Sequence, residues 1–174
     1  KVVKNAFVTG GTGLLGSHLL CKLAGMGRPV RALKRKNSNL EWVQKVFSWY
    51  SSGNDEKFRS IEWIDGDLLD IYSLGSALEN TDIIYHCAAT VSFDSRSRAE
   101  MIRNNVEGTA NLVNAALSQG VGRICHVSSN SALGKSSDGS PATEETKYIP
   151  SKRHSGYSVS KFFSEAEIWR GVAE

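Results

Sequence analysis

The stretch Thr9–Gly16, TGGTGLLG, narrows the choice of fold more than any other part of the chain. A short apolar run, Val2 to Thr9, leads into it, and Leu14, Leu15, Leu19, Leu20 and Leu23 follow at helical spacing, with Gly25 and Gly27 near the helix end. It is a glycine turn between a buried strand and a helix. Gly11, Gly13 and Gly16 satisfy G-x-G-x-x-G, while Gly10, Gly13 and Gly16 satisfy the wider T-G-x-x-G-x-x-G. In such a turn the glycines permit a tight bend, close backbone approach to a pyrophosphate, and close packing of helix on strand. The free N–H groups and positive end of the helix then face the diphosphate. Thr9, Gly10, Gly11, Thr12, Gly13, Leu14, Leu15 and Gly16 are the candidate dinucleotide-binding residues. The competing reading is a glycine-rich turn that binds nothing.

The rest of the chain alternates in the same manner. Val30–Leu33, Arg59–Ile64, Asp82–Cys87 and Arg123–Val127 read as strands. Ile71–Leu78, Ala99–Gln119 and the segment from Tyr157 onward read as helices, and residues 134–156 as loop. Strands alternating with helices predict an α/β fold, a Rossmann-type doubly wound parallel sheet with helices on both faces. Residues 38–52 interrupt the alternation. Leu40, Val43, Phe47 and Tyr50 form a helical stripe there, widened by Trp42, Val46 and Trp49. An inserted helix packed on the sheet edge is expected.

Composition excludes several classes. A chain of 174 residues with 40% hydrophobic and 22% charged side chains is an ordinary globular domain. Its net charge of +3 is too mild to argue for nucleic acid. No apolar run approaches the roughly 18 residues of a membrane span. Cys21, Cys87 and Cys125 are odd in number and widely spaced, which favours a reduced, cytoplasmic setting. The pairs His86-Cys87 and Cys125-His126 look like metal ligands, but neighbours on a strand face opposite ways, so no metal is expected. Lys1 leads straight into a strand, so no leader is expected, and the missing initiator Met points to a trimmed chain.

The second strand addresses which dinucleotide binds. An NAD site usually has an acidic residue about 20 positions past the glycines for the ribose 2′-hydroxyl. No acidic residue occurs from Ser17 through Leu40, and the strand ends in Arg31-Ala-Leu-Lys34-Arg35-Lys36. A guanidinium fork suits a 2′-phosphate. Arg35, with Lys36, is the candidate clamp, and NADP is expected with NAD possible. The alternative is a solvated basic turn.

Six motifs, in order and over nearly the whole chain, resemble the extended branch of the short-chain dehydrogenase/reductase superfamily. The glycine loop is similar to that branch's cofactor loop. Gly66-Asp67-Leu68 resembles the segment over the adenine, which implies that Asp67 pairs with the adenine amino group beside Leu68. His86-Cys87-Ala88-Ala89 resembles a strand end lining the cofactor, which implicates Cys87, Ala88 and Ala89. Asn105-Val106-Glu107-Gly108-Thr109 resembles the NVxGT helix motif, Val127-Ser128-Ser129 the strand end with the catalytic serine, and Tyr157–Lys161 the YxxxK motif. VRALKR and HCAATVSFDS look most like dihydroflavonol-reductase-like members, which mostly use NADP.

Tyr157 and Lys161 lie four apart on one helix face. An ammonium nearby, like a nicotinamide cation, stabilises a phenolate. Tyr157 then becomes able to give a proton to a carbonyl oxygen or take one from an alcohol. Lys161 would also hold the nicotinamide ribose. By comparison with the extended branch, counting back from Gly134 implies Ser129 as the hydroxyl that orients substrate, with Ser128 as runner-up. Asn105 supports the site through its helix backbone or is structural. His86 reads as a packed or cofactor-lining residue; His18, His126 and His154 support no role.

The resemblance further implies a domain truncated at Glu174, with another strand and a substrate domain beyond it. It also implies homodimers through the helix 99–119 and the helix from Tyr157. Residues 90–96 and 130–156 would line one side of a small-molecule substrate cleft, with Glu144 and Glu145 solvated in the loop. Three functions stay open: an NADP-dependent reductase or dehydrogenase acting on a carbonyl or alcohol, an NAD-dependent nucleotide-sugar epimerase or dehydratase, and a non-enzymatic dinucleotide sensor.

Overall fold

The computed structural model describes residues 4–50, 55–92, 94–136, 139–151 and 154–174. Val2 and Val3 of the expected first strand lie outside the described residues. So do Ser51 and Ser52 of the inserted stretch, and Phe93, Ser137, Asp138, Lys152 and Arg153 of the expected cleft-lining segments.

Five strands, β1 (Ala6–Thr9), β2 (Val30–Lys34), β3 (Ile61–Asp65), β4 (Ile83–His86) and β5 (Arg123–His126), form one parallel sheet in the order β3-β2-β1-β4-β5. The chain winds outward from β1 to β3, then returns to place β4 on the other side of β1. That reversal makes the carboxyl ends of β1 and β4 the switch point where a doubly wound sheet opens a crevice. Thr9 pairs with His86, and His86 with His126, so the three stand in one row across those ends.

Side chains alternate between two cores. On one face Ala6, Val8, Val30, Ala32 and Ile61 pack against Leu20 and Leu23 of α1 (Leu14–Gly25) and Val43 and Phe47 of α2 (Glu41–Tyr50). On the other, Phe7, Leu33 and Ile84 pack against Leu74 and Leu78 around α4 (Ile71–Ala77) and Leu112 and Ala115 of α6 (Gly108–Ser118). The expected edge helix is therefore present as α2, seated against α1 beside the β2–β3 side of the sheet. A short helix, α3 (Asp55–Arg59), follows it. Arg59, expected in the third strand, belongs to α3.

The expected continuous helix over Ala99–Gln119 is interrupted. α5 (Arg98–Ile102) passes through a π-helical turn, Arg103–Glu107, before α6 resumes the ordinary pitch. α7 (Gly156–Ala173) packs against this segment and against α6. Its N-terminus is capped by Ser155, whose hydroxyl accepts from the Ser158 N–H.

Candidate functional site

The crevice at the switch point is a cleft of about 270 Å³. Its floor is Thr9, Gly10, Thr12 and Gly13 of the turn between β1 and α1. The glycines divide the work in a way that selects the wider motif. Gly10 has φ +70°, and a Cβ there would sit 2.5 Å from the Ala88 nitrogen. A Cβ on Gly16 would sit 2.1 Å from the Gly10 carbonyl oxygen. A Cβ on Gly13 would meet only the Gly10 carbonyl oxygen, at 3.4 Å, so Gly13 is the least crowded glycine of the turn. At Gly11 the obstacle is a side chain and not the backbone, the buried Leu20 at 2.8 Å. Gly10 thus makes the bend, Gly16 packs the helix, and Gly13 is where a ligand can approach the main chain. The residues fit a dinucleotide diphosphate at the start of α1. Leu14 and Leu15, in the first turn of α1, are exposed and do not line the cleft.

One wall comes from the ends of β2 and β3. Arg35 lines it, as do Asp67 and Leu68. Arg31 is committed elsewhere, donating to the Glu79 carbonyl and to Thr81 Oγ1. Lys34 is paired with Asp65. Arg35 is exposed and extends into an adjoining open depression that also holds Lys36 and Ser38. Asp67 Oδ1 accepts from the Leu69 N–H at 2.9 Å, which ties down its own loop.

The opposite wall is Cys87, Ala88, Ala89 and Thr90 after β4. Burial, reinforced by Cys125, raises the Cys87 thiol to about 11, so it presents a protonated, uncharged surface. A chain of hydrogen bonds holds this wall. The Ala88 N–H donates to Thr9 Oγ1 at 3.3 Å, and Thr9 Oγ1 lies 2.7 Å from His86 Nδ1. His86 Nε2 lies 2.9 Å from Thr109 Oγ1, whose hydroxyl donates to the Asn105 carbonyl at 2.5 Å. Because Thr109 spends its proton on Asn105, it accepts from His86. His86 therefore carries its proton on Nε2 and accepts from Thr9 through Nδ1. It is a buried structural linker, consistent with its reading as a packed group.

Asn105 joins the wall to α7. Its Oδ1 accepts from the Thr90 N–H at 2.7 Å, and its Nδ2 donates to the Thr90 carbonyl and to Ser160 Oγ, both at 2.9 Å. Its carbonyl also accepts from Ser164 Oγ at 2.8 Å. Asn105 is buried behind the wall and does not line the cleft. Asn104, which sequence reasoning missed, does line it, and its Nδ2 donates to Thr90 Oγ1 at 3.2 Å. Both neighbouring asparagines, which lie in the π turn Arg103–Glu107, engage Thr90.

Of the candidate catalytic groups, Lys161 is buried, and its Nζ donates to the Val127 carbonyl at 2.7 Å and lies 3.4 Å from His126 Nε2. Burial lowers its pKa from the ordinary lysine value, partly offset by Glu165. Tyr157 is half-buried in the first turn of α7. The next residue, Ser158, donates to the Ser131 carbonyl at 2.7 Å, which fastens α7 to the turn after β5. Ser129 starts that turn and accepts from the Ser131 N–H at 3.1 Å. Ser128 instead donates to Glu165 Oε2 at 2.7 Å. Ser129, Tyr157 and Lys161 thus sit on two segments fastened together, outside the cleft's own lining.

The buried His86 and the half-buried His126 give this site a pH signature. Burial, then His126 and Lys161, lowers His86 to about 3. Burial and Lys161 lower His126 to about 4, against the opposing influence of Glu165. Both stay neutral in the fold but bind protons once unfolded, below the ordinary value of 6.5. The unfolded state then holds more protons, so stability is complete above that value and falls as the pH drops toward the folded values. Each histidine contributes a slope of up to about 1.4 kcal/mol per pH unit. Urea midpoints should fall between about pH 7 and about pH 5, above the main carboxylate range. Equal midpoints would show that the histidines are not held neutral.

Comparison with known proteins agrees with this architecture. Residues 6–173 match the NAD dependent epimerase/dehydratase family. The chain belongs to that family. It is 30% identical over 166 residues to a sterol-4-alpha-carboxylate 3-dehydrogenase, decarboxylating, of Dictyostelium discoideum, covering 94% of this chain and 47% of the relative. A dihydroflavonol 4-reductase of Dianthus caryophyllus is 27% identical, covering 96% of this chain and 47% of the relative. Among solved structures, the dTDP-glucose 4,6-dehydratase DesIV of Streptomyces venezuelae, with NAD and TYD bound, superposes with a TM-score of 0.74 at 30% identity. That match covers 94% of this chain and 50% of DesIV. The chain spans a little under half the length of the curated relatives it matches. The expected resemblance and the Rossmann-type fold are borne out. Among the described residues no helix is long and apolar enough to cross a membrane.

Proposed function

We propose that the chain is the cofactor-binding part of an NADP-dependent oxidoreductase acting on a carbonyl or alcohol of a small organic molecule. The observation that carries this reading is the glycine turn at Gly13 and an exposed Arg35 lining the same cleft. The Gly10–Gly13 turn would hold the diphosphate, and Asp67 with Leu68 the adenine. Arg35 and Lys36 would take the 2′-phosphate, since Arg31 and Lys34 already have partners. A bound nicotinamide supplies or accepts hydride. Lys161 would donate to the ribose, Ser129 would orient the substrate oxygen, and Tyr157 would carry the proton at its phenolic oxygen. Ser129 suits that task better than Ser128, whose hydroxyl is spent on Glu165. Homodimers would form through α6 and α7, where Leu117, Trp169 and Val172 are exposed.

The second reading is an NAD-dependent nucleotide-sugar epimerase or dehydratase, favoured by the dehydratase neighbour with NAD and TYD bound. A sensor without chemistry could keep Lys161 for the ribose but would have no use for the Ser129 hydroxyl and the Tyr157 phenol. A paired NADPH and NADH titration of the intact protein separates the first two. The reading expects tighter NADPH binding, and Arg35→Ala should weaken NADPH roughly 10–100-fold, the cost of a lost charged hydrogen bond, with NADH little changed. Tighter NADH binding, insensitive to Arg35, would overturn the NADP assignment.

A further inference from the structure

We propose that His126 is a positioning residue for Lys161, a neutral imidazole whose Nε2 lone pair holds the ammonium at the end of β5. The inference rests on the reading of Lys161 as the cation that holds the cofactor ribose. Nζ lies 3.4 Å from Nε2 and 2.7 Å from the Val127 carbonyl. An ammonium has three donors and no lone pair, so the imidazole nitrogen facing it must be the acceptor. The ring proton then sits on Nδ1. That atom is fully buried and has no hydrogen-bond partner among the described residues.

The contrast with His86 is informative. His86 occupies the same row of the sheet, with the ring centroids 5.1 Å apart, and both its nitrogens are satisfied by threonines. A ring kept for packing would be satisfied like His86 or replaced by an apolar side chain. His126 leaves its N–H unused and turns its lone pair to Lys161. Two acceptors, Val127 O and His126 Nε2, then take two of the three ammonium protons and leave one for a ligand. The charged and titratable groups acting on the ring are Lys161 and Glu165 from α7 and His86 from β4. Protonating His126 would set an imidazolium against an ammonium, so the contact exists only while the ring is neutral.

Isotope-edited NMR of the histidines in the intact protein tests this. The expected result is an Nδ1–H tautomer for His126 near neutral pH, and a His126 titration that moves upward in Lys161→Met, where the repelling cation is gone. NADPH binding should weaken roughly tenfold in His126→Phe and recover in His126→Gln, whose amide oxygen can accept from Lys161. An Nε2–H tautomer whose titration ignores Lys161→Met would overturn the proposal. If the tautomer and its response to Lys161 are as stated but Lys161→Met binds NADPH normally, the pairing stands and the ribose role assigned to Lys161 fails.

Discussion

Replacing Tyr157 by phenylalanine is expected to lower turnover of the intact protein by roughly 10²–10⁴-fold, the usual worth of a positioned proton donor, with NADPH affinity almost unchanged. The substitution removes one oxygen from a side chain that does not hold its helix in place. Ser155 caps the N-terminus of α7, Ser158 binds the Ser131 carbonyl, and Ser160 receives Asn105 Nδ2. These contacts survive the change, so the fold and the cleft should survive as well. Lys161→Met should behave differently. Lys161 is proposed to do two things, to stabilise a phenolate and to hold the ribose, so turnover and cofactor affinity should fall together. The measurement is consumption of reduced nicotinamide on whichever carbonyl compound the protein turns over, with binding followed by tryptophan quenching. Full activity in Tyr157→Phe would remove the proton-donor role.

Much of this was legible because the signals are local. A buried four-residue strand followed by TGGTGLLG can do little else than end a strand, bend, and begin a helix. The uninterrupted apolar run Ala6, Phe7 and Val8 marks a strand buried on both faces, and in the fold the three divide between the two cores. The π turn was not legible. The apolar spacing of Ala99–Gln119 is that of a regular helix, and the extra residue in the turn reflects what Asn105 binds: Thr90, distant in sequence, and Ser160 on another helix. Asn104 was missed for the same reason, since its place on the cleft follows from that turn. His126 carried no signal because its meaning lies in a contact with Lys161, 35 residues away. The short helix α3 was overrun by the apolar strand pattern after it. The division of labour among the four glycines was also hidden. Two overlapping motifs fit the string, and only backbone contacts distinguish the glycine that bends from the one that faces a ligand.

That division yields a second large effect, and one that separates scaffold from ligand site. Gly16→Ala should destabilise the domain by roughly 2–4 kcal/mol, at the upper end of what overpacking costs. Its Cβ would lie 2.1 Å from the Gly10 carbonyl oxygen and 2.7 Å from the Gly10 carbonyl carbon. Those are backbone atoms of the turn, and they cannot swing aside as a side chain can. Relief requires α1 to lift from β1, where Leu20 and Leu23 meet Ala6 and Val8. Gly13→Ala should leave stability nearly intact. Its φ of −86° is open to any residue, and its Cβ meets only the Gly10 oxygen at 3.4 Å. The methyl would project into the space proposed for the diphosphate, so dinucleotide affinity should fall at least tenfold, a loss of about 1.4 kcal/mol. Urea denaturation and NADPH titration on the two variants therefore give opposite patterns, one losing the fold and the other losing the ligand. If Gly13→Ala folds and binds dinucleotide as tightly as the parent, the diphosphate does not sit on this turn.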